Sequence, residues 1–314
     1  MKTVNVSNVS ITDDSDWKNY VYKSYRRLLK LDKVEAQVFM ATRFESMTPF
    51  SACFEKIKDI PPGYYGIRQY ECIKIPTRDG LALDAWFFPA ARARGTLIIL
   101  HGGGFNMADS LEQSVYLLKH RYQLLIYNAR YWTFSRNPDC YVGFVGNDLA
   151  DLGYALCYLK SRDDVDAGKI GILGYSYGGL KCLLFAPESR DIKVVISDGA
   201  PLRLLWLDEQ MKKDREFREK VKERLQERYG FDLYSEKYDV TEQIKKISPK
   251  PLLLLQGVHD PIIPVEITKK LFALAQPPRE MHIFKNTGHC DGMLTRDKEE
   301  YIRIVTGFLF NYLH

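Results

Sequence analysis

"ILGYSYGGLK" (residues 172–181) is the stretch whose reading decides the fold. An apolar run ends in Gly174-Tyr175-Ser176-Tyr177-Gly178, and the helix-like "GGLKCLLFA" (178–186) follows. Three readings start from these glycines: a serine raised on a sharp turn, a loop that cradles phosphates, or a plain strand-to-helix turn. A P-loop needs G-x-x-x-x-G-K-[ST]. Gly174 and Gly179 have that separation, but Leu180 stands where lysine is required, Lys181 comes one place late, and Cys182 replaces the magnesium-binding hydroxyl. The serine reading matches G-x-S-x-G between strand and helix. A nucleophile held above a strand end needs a strained backbone, and its neighbours two positions away must be very small. A helix that begins just beyond it aims N–H groups at developing negative charge.

The chain around this turn alternates between two rhythms. "IRQYECIKI" (67–75) and "LALDAWFFP" (81–89) flank the turn "PTRDG" (76–80) as a hairpin. Short apolar runs follow: "GTLIILHG" (95–102), "YQLLIYNA" (122–129), "KIGILGYS" (169–176), "KVVISDGA" (193–200), "KPLLLLQG" (250–257) and "EMHIFKN" (280–286). Near-continuous apolar runs suit strands buried on both faces of a parallel sheet. Helical patterns separate them, among them 147–162, 265–276 and the closing segment 297–313. Strand and helix in alternation predict an α/β class: a mostly parallel, doubly wound sheet led by an antiparallel hairpin.

Two further regions stand outside that alternation. Residues 1–60 carry helical spacing from Asp13 to about Met47, broken by "DIPPGYYG" (59–66), so they are expected to form an N-terminal helical extension. The main domain then spans 61–314. Residues 201–247 separate two strands by far more than the usual connection of roughly 2–6 residues. Phe217, Val221, Leu225 and Tyr229 step by four through that charged stretch, giving one apolar face. A helical cap over the pocket is the reading preferred to a solvated surface helix.

A serine hydroxyl needs a base. Of six histidines, His289 in "NTGHCDG" sits on a loop between the last strand and the last helix, where its ring can reach the sheet edge. His101 and His259, also at strand ends, are its rivals, whereas His120 and His314 read as solvent-facing and His282 as structural. The base needs an acceptor that fixes its tautomer. Asp260 in "QGVHDPIIP" follows a buried strand and precedes two stiffening prolines, and Asp198 in "ISDGAP" is the rival. The preferred order is therefore Ser176, Asp260, His289.

"LIILHGGGFN" (97–106) supplies three glycines whose backbone N–H groups can approach a ligand closely. It resembles the HGGG type of oxyanion loop. Gly103, Gly104 and Tyr177 are the expected oxyanion donors, with Phe105 as an alternative.

With these four motifs in order over about residues 65–314, the chain resembles the α/β-hydrolase superfamily. "GYSYGG" is similar to the serine turn of the prolyl-oligopeptidase and dienelactone-hydrolase branches, and "GVHDPIIP" to their acid loop. The run-up to the serine also resembles that of feruloyl esterases. Those branches often carry a D-x-R-G-like stretch after the fourth strand, where this chain has "NARY" (Asn128–Tyr131). The 60 or so residues before the main domain are too short for the propeller that accompanies the oligopeptidases.

The resemblance implies a serine hydrolase that cleaves carboxylic esters through an acyl-enzyme, with no metal and no organic cofactor. Thioesterase, acyltransferase and peptidase chemistry use the same parts, and a non-catalytic ligand-binding protein is the alternative from another class. Phe105, Tyr131, Trp132 and Trp206 are expected near the pocket, either lining it or packing beneath the cap.

Bulk properties bound the partners. The 45 basic and 40 acidic residues leave a formal charge of +5, too weak a bias to call for nucleic acid or a membrane surface. No apolar run reaches the ~18 residues of a membrane span, and the N-terminus has no apolar stretch of signal-peptide length. The expectation is a cytoplasmic protein acting on a small ester or thioester, with a homodimer as one candidate assembly. The six cysteines are scattered without a CxxC pair, which argues against a zinc site.

Overall fold

In a computed structural model, residues 61–103, 106–130, 145–202, 223 and 238–313 are described. The expected N-terminal extension (1–60) and most of the expected cap (201–247) lie outside the described residues.

Eight strands form one sheet: β1 (Glu71–Pro76), β2 (Ala82–Phe88), β3 (Gly95–Leu100), β4 (Tyr122–Tyr127), β5 (Ile170–Tyr175), β6 (Ile192–Asp198), β7 (Leu252–Gly257) and β8 (Arg279–Phe284). Their order is β1-β2-β4-β3-β5-β6-β7-β8. β1 and β2 pair antiparallel around the "PTRDG" turn, closed by Thr77 N–H donating to Leu81 O at 2.9 Å. β2 is also antiparallel to β4, and every later pair is parallel. The mostly parallel, doubly wound sheet with an antiparallel leading hairpin is the expected class.

β3, β4, β5 and β7 are buried at every position, which explains why their sequences read as unbroken apolar runs. Alternate side chains feed two cores. Ile98, Leu100, Leu125 and Ile172 pack on one face against α3 (Val145–Lys160) and α4 (Tyr177–Phe185). Leu97, Ile99, Leu124 and Leu173 pack on the other, against α1 (Met107–Ser114), α2 (Tyr116–Lys119) and α7 (Lys298–Tyr312). Each such side chain contributes roughly 1.5–3 kcal/mol on burial. The short α5 (Val240–Gln243) and α6 (Val265–Leu274) complete the first layer.

The chain leaves β3 toward β4 on one side and returns to β5 on the other. Ligands of open α/β sheets bind at the carboxyl ends of the strands where the order reverses. His101 and Ser176 directly follow the two strands at that reversal. Among the described residues, no helix is long and apolar enough to cross a membrane.

Candidate active site

Ser176 is the N-cap of α4, with φ 53° and ψ −116°. That is a costly conformation for a residue with a side chain, and it persists because its surroundings over-determine it. Ser176 N–H donates to Asp198 O at 2.7 Å, and Leu180 N–H donates to Ser176 O at 3.0 Å. A Cβ on Gly174 would stand 2.2 Å from Gly178 O, and one on Gly178 would stand 2.3 Å from Leu100 O. The glycines two places either side of the serine are therefore required by close backbone approach, as the motif anticipates. Tyr177 opens α4, where first-turn N–H groups point out of the helix end.

His289 lies on the loop between β8 and α7. Asp297 pins this loop at its base, accepting from Asn286 N at 2.6 Å, Asn286 Nδ2 (through Oδ1) at 2.7 Å and Thr287 Oγ1 at 2.9 Å. Asp260 follows β7, and its Oδ2 lies 2.7 Å from His289 Nδ1. The carboxylate also accepts from Gln256 Nε2, Ile262 N and Ile263 N, each at 2.8 Å. A carboxylate only accepts, so Nδ1 carries the proton of a neutral His289 and Nε2 is left as the basic nitrogen. The Asp260 side chain is fully buried and that of His289 nearly so.

The serine turn and the loop that carries His289 both hydrogen-bond to the end of β6. Asp198 O accepts from both Ser176 N and Cys290 Sγ, the latter at 3.3 Å. Gly199, at φ +58°, lies beneath the imidazole, and a Cβ there would come within 3.5 Å of the ring and 2.6 Å of Cys290 Sγ. Cys290 Sγ is 4.0 Å from His289 Nε2.

The rival residues have other partners. Asp198 Oδ2 accepts from Tyr301 Oη at 2.8 Å on the face away from α4, and burial pushes its carboxyl up to about 7. His101 Nδ1–H donates to Gly102 O at 2.8 Å, and its Nε2 accepts from Ala129 N at 3.0 Å. Burial and then the Lys181 charge hold His101 neutral, with its pKa near 3. His282 packs on the Phe284 ring and pairs with Glu300 at 3.3 Å. His259 and the half-exposed Val258 directly follow β7, and the His259 N–H donates to Thr287 O at 3.0 Å.

Gly103 lies in the turn after His101. Gly104, Phe105, Tyr131, Trp132 and Trp206 lie outside the described residues. Among the described residues, no group of three or more histidine, cysteine or carboxylate side chains could hold a metal ion.

A polar group that the sequence reading passed over lies behind the serine turn. Tyr177 Oη donates to Asp148 Oδ2 at 3.0 Å, and Lys181 Nζ stands 4.9 Å from the Tyr177 ring centroid. Arg130 Nε donates to Asp151 Oδ2 at 2.8 Å, its Nη2 donates to Asp151 Oδ1, and its Nη1 reaches Asp79 Oδ2 at 2.7 Å. Asp148, Asp151, Arg130 and Lys181 are all buried. The signal available in the sequence is the pair of acidic residues three apart in the otherwise apolar "NDLADLGYAL" (147–156).

A model of the prolyl oligopeptidase family matches residues 144–314. Protein YfhR of Escherichia coli K12 is 24% identical over 251 residues, covering 78% of this chain and 82% of its own. Among solved structures, the Pyrococcus furiosus esterase Pf2001 aligns with a TM-score of 0.62 at 20% identity, over 82% of this chain and 95% of that one. The dienelactone hydrolase of Anabaena variabilis aligns with a TM-score of 0.58 at 15% identity, over 78% and 99%. These likenesses show the α/β-hydrolase fold.

Proposed function

This chain belongs to the prolyl oligopeptidase family of hydrolases, and from that premise we propose that it cleaves carboxylic esters through an acyl-enzyme on Ser176. His289 Nε2 takes the Ser176 proton as Oγ attacks the ester carbonyl. The N–H groups of Gly103, Gly104 and Tyr177 receive the oxyanion. His289 then protonates the departing alcohol, and the acyl group remains on Oγ. Water, deprotonated by the same nitrogen, attacks the acyl-enzyme and releases the acid. Asp260 holds the ring and balances the imidazolium charge.

The observation that carries this reading is the 2.7 Å contact of His289 Nδ1 with the fully buried Asp260 side chain, together with a serine held at the head of α4. It supports a base whose open nitrogen faces the serine side of the site. In this account the domain at 61–314 carries a cap at about 201–247, and Phe105, Tyr131, Trp132 and Trp206 receive an apolar acyl group.

A panel of 4-nitrophenyl esters, acyl-thioesters and aminoacyl anilides tests the reading. Turnover of the esters, lost in Ser176→Ala, is expected, with slower turnover of the other two classes. Ester turnover that survives in Ser176→Ala contradicts it. Preference for anilides would move the protein to peptidase chemistry, the second reading favoured by its family.

A further inference from the structure

We propose that α3 acts as a brace that holds the two halves of the oxyanion site in register, with Asp148, Asp151 and Arg130 as positioning residues. The inference rests on the serine-hydrolase reading above and extends it to residues that touch neither substrate nor reacting atoms.

An oxyanion site of this kind is built from two separate pieces of backbone. One is the glycine loop after β3, and the other is Tyr177 at the start of α4. Their N–H groups must point at a single oxygen, and displacement of either by about 1 Å costs about a hundredfold in rate. Something must fix the distance between them.

On the glycine-loop side the links start at the turn after β4. Ala129 N–H donates to His101 Nε2 at 3.0 Å, and Asn128 Oδ1 accepts from Met107 N at 2.9 Å. The turn after β4 thus grips both ends of the 101–107 segment. Arg130, the next residue of that turn, is fastened to Asp151 by two parallel hydrogen bonds and to Asp79 of the hairpin turn by a third. A bidentate guanidinium–carboxylate pair fixes orientation as well as distance.

On the serine side, Tyr177 Oη donates to Asp148 Oδ2 at 3.0 Å. Asp148 and Asp151 are three residues apart on α3 and so share a face. One rigid turn of helix therefore holds Arg130 with one carboxylate and Tyr177 with the other. Lys181, one turn beyond Tyr177 on α4, lies over the Tyr177 ring and offsets the paired acidic charge.

Asn128 and Ala129 clamp the loop, and Arg130 carries the clamp to α3. An isolated salt bridge could serve stability alone, but the tyrosine link has its far end on the residue next to the serine.

Tyr177→Phe, Asp148→Asn, Arg130→Lys and the double variant Tyr177→Phe/Asp148→Asn test the brace. The readouts are kcat and KM on a 4-nitrophenyl ester and the affinity of an aryl trifluoromethyl ketone, which forms a tetrahedral adduct. The expected result is a fall in kcat of about tenfold to a hundredfold with KM within about twofold. Ketone affinity should fall in parallel with kcat, and the double variant should be no worse than the worse single one. Tyr177→Phe removes one hydroxyl and keeps the test open if Asp148→Asn fails to fold. Unchanged kcat and ketone affinity in a folded Tyr177→Phe, with Ser176→Ala inactive, would overturn the brace and leave the serine reading intact. Activity retained in Ser176→Ala would overturn both.

Discussion

His289 Nδ1 and Asp260 Oδ2 stand 2.7 Å apart, and the other oxygen of the same carboxylate is taken by two backbone N–H groups, Ile262 and Ile263. The geometry dictates what an amide would do there. In Asp260→Asn an amide oxygen kept on the two backbone donors leaves the NH2 group facing His289 Nδ1 and the Gln256 amide. Nδ1 then has to accept, Nε2 holds the proton, and the ring cannot serve as base. The expected outcome is a loss of about 10³-fold or more in kcat, with the fold intact by circular dichroism. A loss below tenfold would show that the pair does not set the tautomer.

Gly174 and Gly178 bear on stability as well as on the site. A methyl group at either would press on backbone atoms 2.2–2.3 Å away, which flexible side chains cannot relieve. Gly178→Ala is expected to cost about 3 kcal/mol or more, read as a lowered denaturation midpoint. A neutral substitution would mean that the approach of α4 to β3 is not tight.

Asp198 makes stability depend on pH in a defined sense. Burial raises its carboxyl to about 7, against the pull of the Tyr301 hydroxyl and His289. An unfolded aspartate titrates near ~3.9. Between those values the folded chain keeps a proton that the unfolded chain has lost, so stability falls as pH rises through the window. The contribution is full below the unfolded value and lost above the folded one. Asp198→Asn retains an oxygen for Tyr301 and removes the titration. The Tm of the unsubstituted protein, relative to that variant, should decline from about pH 4 to pH 7. A relative Tm that rises over the same range contradicts the assignment.

The strands were legible because most of them are buried on both faces, so a continuous apolar run needed no periodicity to be recognised. The helix α1 was not. Its sequence "MADSLEQS" is largely polar, and it starts where Asn106 and Asp109 exchange hydrogen bonds in a capping box. The neighbour of β2 was also hidden, since consecutive strands usually pair and here β2 passes over β3 to β4.

At the site, Asp260 and His289 lie on the loops that follow the adjacent strands β7 and β8, so chain order alone brought them near one another. The preference for Asp260 over Asp198 rests on chain order, whereas the direction in which the Asp198 side chain leaves β6 is not encoded there. Tyr301, 103 positions from Asp198, takes the latter's carboxylate on the opposite face. The links of Tyr177 to Asp148 and Arg130 to Asp151 span 29 and 21 positions. No local propensity encodes such contacts; they exist once the sheet has stacked α3 on α4.

Thiol reactivity follows burial. Cys72 and Cys157 are exposed, whereas Cys182 and Cys290 are buried, and burial pushes both buried thiols well above their ordinary range. A disulfide-exchange reagent followed by peptide mapping should modify Cys72 and Cys157 in the native protein and reach Cys182 and Cys290 only after denaturation. Rapid native labelling of Cys290 would mean that the β8–α7 loop opens readily.

The central claim is that Ser176 is the nucleophile, and covalent capture tests it most directly. Incubation with a fluorophosphonate probe, digestion and peptide mass mapping should place one phosphonyl group on Ser176. Labelling should vanish in Ser176→Ala and fall sharply in His289→Ala. Label on a different residue, together with ester hydrolysis undiminished in Ser176→Ala, would contradict the account.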